Sequence, residues 1–162
     1  MKRFFVVLFL IIGVLGFSQE LWNGTTLGMA KEDILQILPS CVELDKPVKY
    51  TDGESNLALN NLEIIGDKFN VNFIFSDNKL NAVLISPVKK VNLQQLFQKL
   101  LGMLRYKYGN ETFLVTDREV SAAKWLLSSK TIELNYIAIS GIDFSSFGIH
   151  YSKPSIEELN KL

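Results

Sequence analysis

His150 is the only histidine of the chain and the first candidate for acid–base chemistry. General acid–base and nucleophilic catalysis need a titratable group with a partner within hydrogen-bond reach. A single histidine leaves room for one Ser/His/acid arrangement and excludes a metal site built from several histidines. His150 lies between Ile149 and Tyr151 in an apolar segment. We therefore interpret it as a strand residue that points to the opposite face from these neighbours.

A second candidate is the pair Ser121 and Lys124 in "SAAK", which has the S-x-x-K spacing in which a helical lysine activates a serine. The S-D-N and K-T-G elements that accompany this motif are missing, and the following Trp125 favours the entry to a strand. We therefore predict that the chain is not an enzyme. A hydrolase or small-ligand carrier that uses His150 or the Ser121/Lys124 pair is the alternative.

The remaining polar motifs and the lone cysteine form no pattern for a cofactor or metal site, and we expect neither. The "DGE" at 52–54 lacks the alternating oxygen ligands of a calcium loop, so we interpret it as a solvated turn. "NGT" from Asn23 and "NET" from Asn110 match the glycosylation acceptor of a eukaryotic secretory pathway. Cys41 cannot form an internal disulfide, and we interpret it as a small buried residue, with an intermolecular disulfide as the alternative.

The N-terminus has the pattern of a secretory signal peptide, 1–18. A basic "KR" start precedes an apolar run, 4–15, that is short for a membrane span, and small residues stand at positions 16 and 18. We expect cleavage between Ser18 and Gln19, and export to the periplasm or beyond. A retained N-terminal membrane anchor is the alternative, although no charged stop-transfer cluster follows the run.

The chain that follows, 19–162, has the size of one domain and a charge close to neutral. Without the two basic residues of the leader it carries 15 basic and 17 acidic residues, a net charge near −2. No basic stripe remains for phosphate contacts, so we expect no nucleic-acid partner. No later segment reaches about eighteen consecutive apolar residues, so we expect no membrane span in this part of the chain.

Apolar spacing predicts two helices. In "MAKEDILQIL" the residues Ile34 and Ile37 begin one short apolar stripe, which Pro39 ends. The stronger helix lies in "VNLQQLFQKLLGMLRYKYG", with Asn92 as the expected N-cap and Gly109 as the expected C-terminal stop. Its apolar stripe is Leu93, Leu96, Phe97, Leu100, Leu101, Leu104 and Tyr108.

After each helix the apolar period changes to two, which is typical of strands in an antiparallel sheet. The apolar positions are Phe69, Val71 and Phe73 in the first half and Ile132, Leu134 and Tyr136 in the second. We expect the helices to cover this face of the sheet. The opposite, open face then presents the candidate binding residues Asn70, Asn72, Glu133, Asn135 and His150, beside Ile74 and Ile137. A protein or peptide site of moderate affinity has such a mixed surface, and so has an ordinary solvated sheet.

A single shift of 63 residues superposes the two halves of the pattern. The superposed pairs are Ile34 and Phe97, Leu38 and Leu101, Leu62 and Trp125, Phe69 and Ile132, Val71 and Leu134, Phe73 and Tyr136, and, with three extra residues in the second half, Val83 and Ile149, Ile85 and Tyr151. We therefore predict an α+β fold of two α-β-β-β units in tandem, about 22–90 and 91–153, with both helices on one face of an antiparallel sheet. The domain then covers 19–153, and 154–162 forms a tail or a short helix. A chance match between two unrelated segments is the alternative.

The segment "WNGTTLGMAKEDILQIL" resembles the opening of exported bacterial domains of the SmpA/OmlA type, over about twenty residues. In that family a Gly-Met pair leads into a short helix and a β-meander. The matching residues are Gly28, Met29, Ile34, Ile37 and Leu38, whereas Ala30 stands where the family has Ser or Thr. A tandem pair of such units is similar in topology to β-lactamase inhibitor protein. The resemblance implies an exported binding or envelope-adaptor domain whose partner is another exported or envelope protein.

Overall fold

The computed structural model describes residues 20–89, 92–139, 141–142, 144–154, 157 and 160. The expected signal peptide, its cleavage site and most of the expected C-terminal helix lie outside these residues. The described elements are β1 (Glu20–Trp22), β2 (Thr25–Thr26), α1 (Lys31–Ile37), β3 (Val42–Tyr50), β4 (Gly53–Ile64), β5 (Asp67–Ser76), β6 (Lys79–Pro87), α2 (Leu93–Tyr108), β7 (Phe113–Thr116), β8 (Val120–Leu126), β9 (Thr131–Ile139) and β10 (Phe144–Ser152).

Helix α2 has the caps that the sequence predicts. The Asn92 side-chain oxygen accepts a hydrogen bond from the Gln95 N–H at 3.1 Å, so one of the unpaired donors of the first turn is satisfied. Gly109 ends the helix with φ of 83°, in the left-handed region that favours glycine, and its carbonyl accepts from Trp125 Nε1 at 2.9 Å. The predicted start and end of this helix are therefore confirmed.

Three of the tight turns that join the strands have positive φ at both central residues. These pairs are Asn23–Gly24 in β1–β2, Ile65–Gly66 in β4–β5 and Asp77–Asn78 in β5–β6. Such turns match the right-handed twist of the strands they join, and Asn, Asp and Gly adopt them at low cost. They make neighbouring strands in the chain neighbours in the sheet.

The main sheet has eight strands in the order β3-β4-β5-β6-β10-β9-β8-β7, and β1 and β2 form a separate two-stranded sheet. Every pairing is antiparallel. Strands contain 56% of the described residues, and the two helices of this part of the chain are short. The fold is therefore mainly β, and the predicted α+β class is wrong.

The physical reason is that each helix is followed by four strands rather than the three expected. The missed strands are β3 and β7, which occupy the two edges of the sheet. Both edge strands are largely exposed, so neither shows the alternation of buried and exposed residues that marks a half-buried strand. The polar segment 43–56 forms most of β3 and the start of β4.

The two halves meet at a seam, the pairing of β6 with β10. It joins Ile85 to Ile149 and Val83 to Tyr151. On the next pairings, Val71 lies opposite Ile85, and Leu134 lies opposite Ile149. Ile85 and Ile149 therefore occupy equivalent positions in the two halves. They are 64 residues apart, so the second half has one extra residue before this strand position, and the predicted three extra residues are wrong.

One core unites the helices with the sheet. Ile34 of α1 and Phe97 of α2 are fully buried, as are Phe69 of β5 and Ile132 of β9. We call the sheet face that carries these strand residues the helix face. Cys41 is also buried in this core, and burial raises the pKa of its thiol, which agrees with the interpretation as a small buried residue.

Candidate functional site

The five candidate residues lie on the open face of the sheet, on strands β5, β9 and β10. Asn72 of β5 lies opposite Leu84 of β6, which lies opposite His150 of β10, and His150 lies opposite Glu133 of β9. These residues form one continuous row across four strands. The other two candidates, Asn70 and Asn135, lie two residues farther along β5 and β9 and are also half-buried.

Polar contacts join this row to the turn between β3 and β4. His150 Nε2 lies 3.2 Å from Asp52 Oδ2, and the Asp52 carbonyl accepts from Asn81 Nδ2 at 2.9 Å. Farther along the row, Lys124 Nζ lies 2.8 Å from Glu133 Oε1. Asp52, Asn81, Lys124 and Glu133 line a cavity of about 220 Å³. The arrangement can hold a small polar group, with donors and acceptors on both sides.

Asp52 is the residue of this cluster whose position on the open face the sequence does not predict. Its turn was expected to be solvated, but it folds over the open face far enough to reach β6 and β10. Gly53 allows this approach: a Cβ atom there would lie 2.1 Å from the Phe75 carbonyl oxygen and 3.4 Å from Ile74 Cγ2. The turn thereby helps to bury Ile74, which is 1% exposed. The only advance signal is the Asp-Gly pair, which marks a turn but not its direction.

The far end of the open face carries an apolar band that the turn does not reach. We define the apolar band as Val115, Val120, Ile137, Ile139 and Phe144. Val120 lies opposite Ile137, and Ile139 lies opposite Phe144. Val120, Ile139 and Phe144 are 42%, 40% and 48% exposed. Grouped apolar side chains with this exposure typically mark an interaction surface.

The structure does not bring Ser121 and Lys124 together. Both lie on β8, three residues apart, so their side chains point to opposite faces of the sheet. Ser121 is buried on the helix face and donates a hydrogen bond to the Asp117 carbonyl at 3.1 Å. Lys124 lies on the open face beside Glu133. The proton transfer that an S-x-x-K pair performs has no path between these side chains.

A larger cavity lies away from the five candidate residues, at the end of the sheet beside the first turn of α2. It measures about 670 Å³ and is lined by Gln94, Arg118, Tyr136 and Ser145 among others. Tyr136 Oη donates to the Arg118 carbonyl at 3.3 Å, which fixes one wall. None of the five candidate residues contributes to it, but Ile139 and Phe144 of the apolar band do, so the cavity adjoins this end of the open face.

Lys130 is a second residue whose burial the sequence does not predict. It follows "SS" in a turn, yet it is 7% exposed, and its Nζ donates to the carbonyls of Glu20 at 2.8 Å and Leu21 at 3.0 Å. The ammonium group also lies 5.3 Å from the ring centre of Tyr108 and 5.9 Å from that of Tyr151. Burial is the main cause that raises the pKa of Tyr151 far above its usual range, and its contact with Tyr108 adds to the rise. This lysine ties β1 to the second half of the chain.

The described residues contain no group of three or more His, Cys, Asp or Glu side chains that could hold a metal ion. In the same part of the chain, neither helix is long and apolar enough to cross a membrane. No family model, curated protein or solved structure matches the chain. The resemblances to SmpA/OmlA-type domains and to β-lactamase inhibitor protein therefore stay predictions without support from these comparisons.

Proposed function

We propose that this chain is an exported, non-catalytic binding domain that recognises another exported or envelope protein through the open face of its sheet. The observation that carries the proposal is the apolar band, which leaves Val120, Ile139 and Phe144 at least 40% exposed side by side. Such side chains gain about 25 cal/mol per Å² of apolar surface when a partner covers them. A protein surface provides such a cover.

The contrast between the two halves supports this proposal. The 63-residue shift places Ile74 on Ile137. Ile74 is buried, with the turn around Gly53 packed against it, whereas Ile137 is only partly buried. The first half thus covers its own apolar position on the open face, and the described part of the second half does not. A partner bound to the second half would cover Ile137 as the turn covers Ile74 in the first half.

The polar row beside the apolar band would contribute to specificity for one partner. A protein interface typically has an apolar centre and a polar rim. Lys124, which forms the ion pair with Glu133, lies two residues along β8 from Ala122, the residue opposite Val115 of the apolar band. A bound protein would therefore meet both surfaces. Charges at a rim favour one partner over another more than they raise affinity.

A photocrosslinking experiment in the native host tests the proposal. The photoreactive residue benzoylphenylalanine replaces Val120 in one strain and Lys99, which is exposed on α2, in a matched strain. Irradiation should give one discrete adduct from position 120 and none from position 99. With the captured protein purified, Val120→Asp should weaken its binding by about tenfold or more, as truncation of an interface centre does. Equal labelling from both positions, or no adduct from either, contradicts the proposal.

Export is the second part of the proposal and rests on the residue pattern of 1–18. Mass spectrometry of the exported fraction should recover a mature chain that begins at Gln19. Recovery of the intact chain with Met1 in the membrane fraction would instead favour the retained anchor.

A further inference from the structure

The β7 strand forms one edge of the sheet and is apolar along most of its length. Phe113, Leu114 and Val115 are 53%, 38% and 41% exposed, and Thr116 is exposed as well. Among the described strands, β7 pairs with β8 alone, on one side. Natural proteins usually protect such an edge with charged residues, proline or a bulge, because it can pair with another chain.

The hydrogen bonds of the β7–β8 hairpin show which backbone groups of β7 point outward. The Asp117 N–H donates to the Val120 carbonyl at 2.9 Å, which makes these two residues a hydrogen-bonded pair. Bonded and non-bonded pairs alternate along an antiparallel ladder. Val115 therefore bonds to β8, whereas Leu114 and Thr116 direct their N–H and C=O groups away from the sheet.

The opposite edge, β3, is protected in the ways that β7 is not. Pro47 lacks a backbone N–H, and Lys46 and Lys49 put charges along the strand. The pairing of β3 with β4 also shifts register between Glu43 and Val48, which bends the edge. The main sheet thus has one open edge and one blocked edge.

We propose that two copies of this chain form a dimer by antiparallel pairing of their β7 strands about a two-fold axis. Leu114 of each copy then lies opposite Thr116 of the other, and the outward N–H and C=O groups of both residues are satisfied. Val115 meets its own counterpart on the axis, in a non-bonded pair with close side chains. The two eight-stranded sheets become one continuous sheet.

A second copy fits this edge better than an unrelated strand because the main sheet, over the residues that the structure describes, offers a single open edge. Pairing of the same strand about a two-fold axis uses that edge on both copies and closes the assembly. The blocked β3 edges then lie at the two ends, where they stop further growth. The dimer shares only Val115 with the apolar band, since the pairing uses β7. Val120, Ile139 and Phe144, which carry the proposed partner site, lie on β8, β9 and β10 and take no part in it.

Oxidative cross-linking tests the geometry. In the purified chain, as its host produces it, Val115→Cys should give a covalent dimer on mild oxidation, because the two side chains face each other across the axis. Val48→Cys is the matched control, since Val48 is 44% exposed on the blocked edge, and it should stay uncross-linked. Cys41 is buried and leaves the assay undisturbed.

Sedimentation velocity over a micromolar concentration series tests the association itself. The unmodified chain and Val48→Lys should dimerise, whereas Val115→Lys places two like charges on the axis and should weaken dimerisation at least tenfold. Leu114→Pro removes an outward N–H without touching the β8 ladder and should have the same effect; circular dichroism checks that each variant is folded. A chain that stays monomeric throughout overturns the dimer, even if a strand of another protein uses the edge. Equal dimerisation of Val115→Lys and Val48→Lys overturns it as well.

Discussion

Replacement of Lys130 by methionine should destabilise the fold more than its place in a turn indicates. The ammonium group donates to two carbonyls of β1, those of Glu20 and Leu21, and Leu21 is fully buried. Lys130→Met keeps most of the apolar side-chain volume and removes the donor. The substitution therefore measures how much these two hydrogen bonds stabilise the contact between β1 and the second half of the chain.

The expected magnitude follows from the two hydrogen bonds. The hydrogen bond to the Leu21 carbonyl is buried, and a buried carbonyl that loses its donor costs about 1–3 kcal/mol. The hydrogen bond to the Glu20 carbonyl is only partly buried and adds less. Part of this cost is offset, because methionine avoids the desolvation of a buried charge. We expect the free energy of unfolding to fall by about 1–3 kcal/mol, and the Tm by roughly 3–4 °C for each kcal/mol. Urea unfolding followed by circular dichroism measures the first quantity, and calorimetry the second.

Lys99→Met is the matched control, because Lys99 is exposed on α2 and should change the stability by no more than about 0.5 kcal/mol. Hydrogen exchange adds a local readout: Lys130→Met should increase exchange in β1 more than in β5. If both methionine variants are equally stable, the two hydrogen bonds contribute nothing and the reasoning on Lys130 is refuted.

Two further predictions concern the core and alkaline pH. Phe69→Ala and Ile132→Ala should each lower the free energy of unfolding by about 2–5 kcal/mol, because both side chains are fully buried. Asn72→Ala and Asn135→Ala, on the open face, should change it by only about 0.5 kcal/mol in urea unfolding. Tyr151 keeps its proton in the fold after an unfolded tyrosine ionises near pH 10, so the folded state binds more protons above that pH. Stability should then fall with rising pH by about 1.4 kcal/mol per unit from this group, and Tyr151→Phe should remove that part of the slope.

The sequence predicts the buried face of β5 and β9 because side chains alternate strictly along a half-buried strand. Phe69, Phe73, Ile132 and Leu134 are all buried at the expected positions. Helix α2 is equally predictable, since its apolar stripe and both caps are local signals. The edge strands β3 and β7 could not be predicted in this way, because a strand exposed on both faces has no alternation to detect.

The polar cluster on the open face depends on contacts that no local pattern records. His150 meets Asp52 only because the turn between β3 and β4 folds across two strands. Lys130 contacts Glu20 and Leu21 from the far end of the chain. From the sequence, a lysine in a serine-rich turn is expected to be exposed. Lys130 is buried because β1 packs against it in the folded chain. Alternation therefore predicts the face on which a residue lies, while its partners depend on the tertiary fold.

The seam between β6 and β10 also has a consequence for folding kinetics. The pairings within each half join strands that follow one another in the chain, whereas the seam joins residues more than sixty positions apart. Closing a loop of that length carries an entropic cost that the local hairpins do not have. We therefore expect the strands of each half to form early and separately, and the step that joins the two halves to limit the folding rate. Substitutions such as Ile85→Val at the seam should slow folding more than equal destabilisation at an outer strand, because the seam is where the transition state gains its long-range contacts.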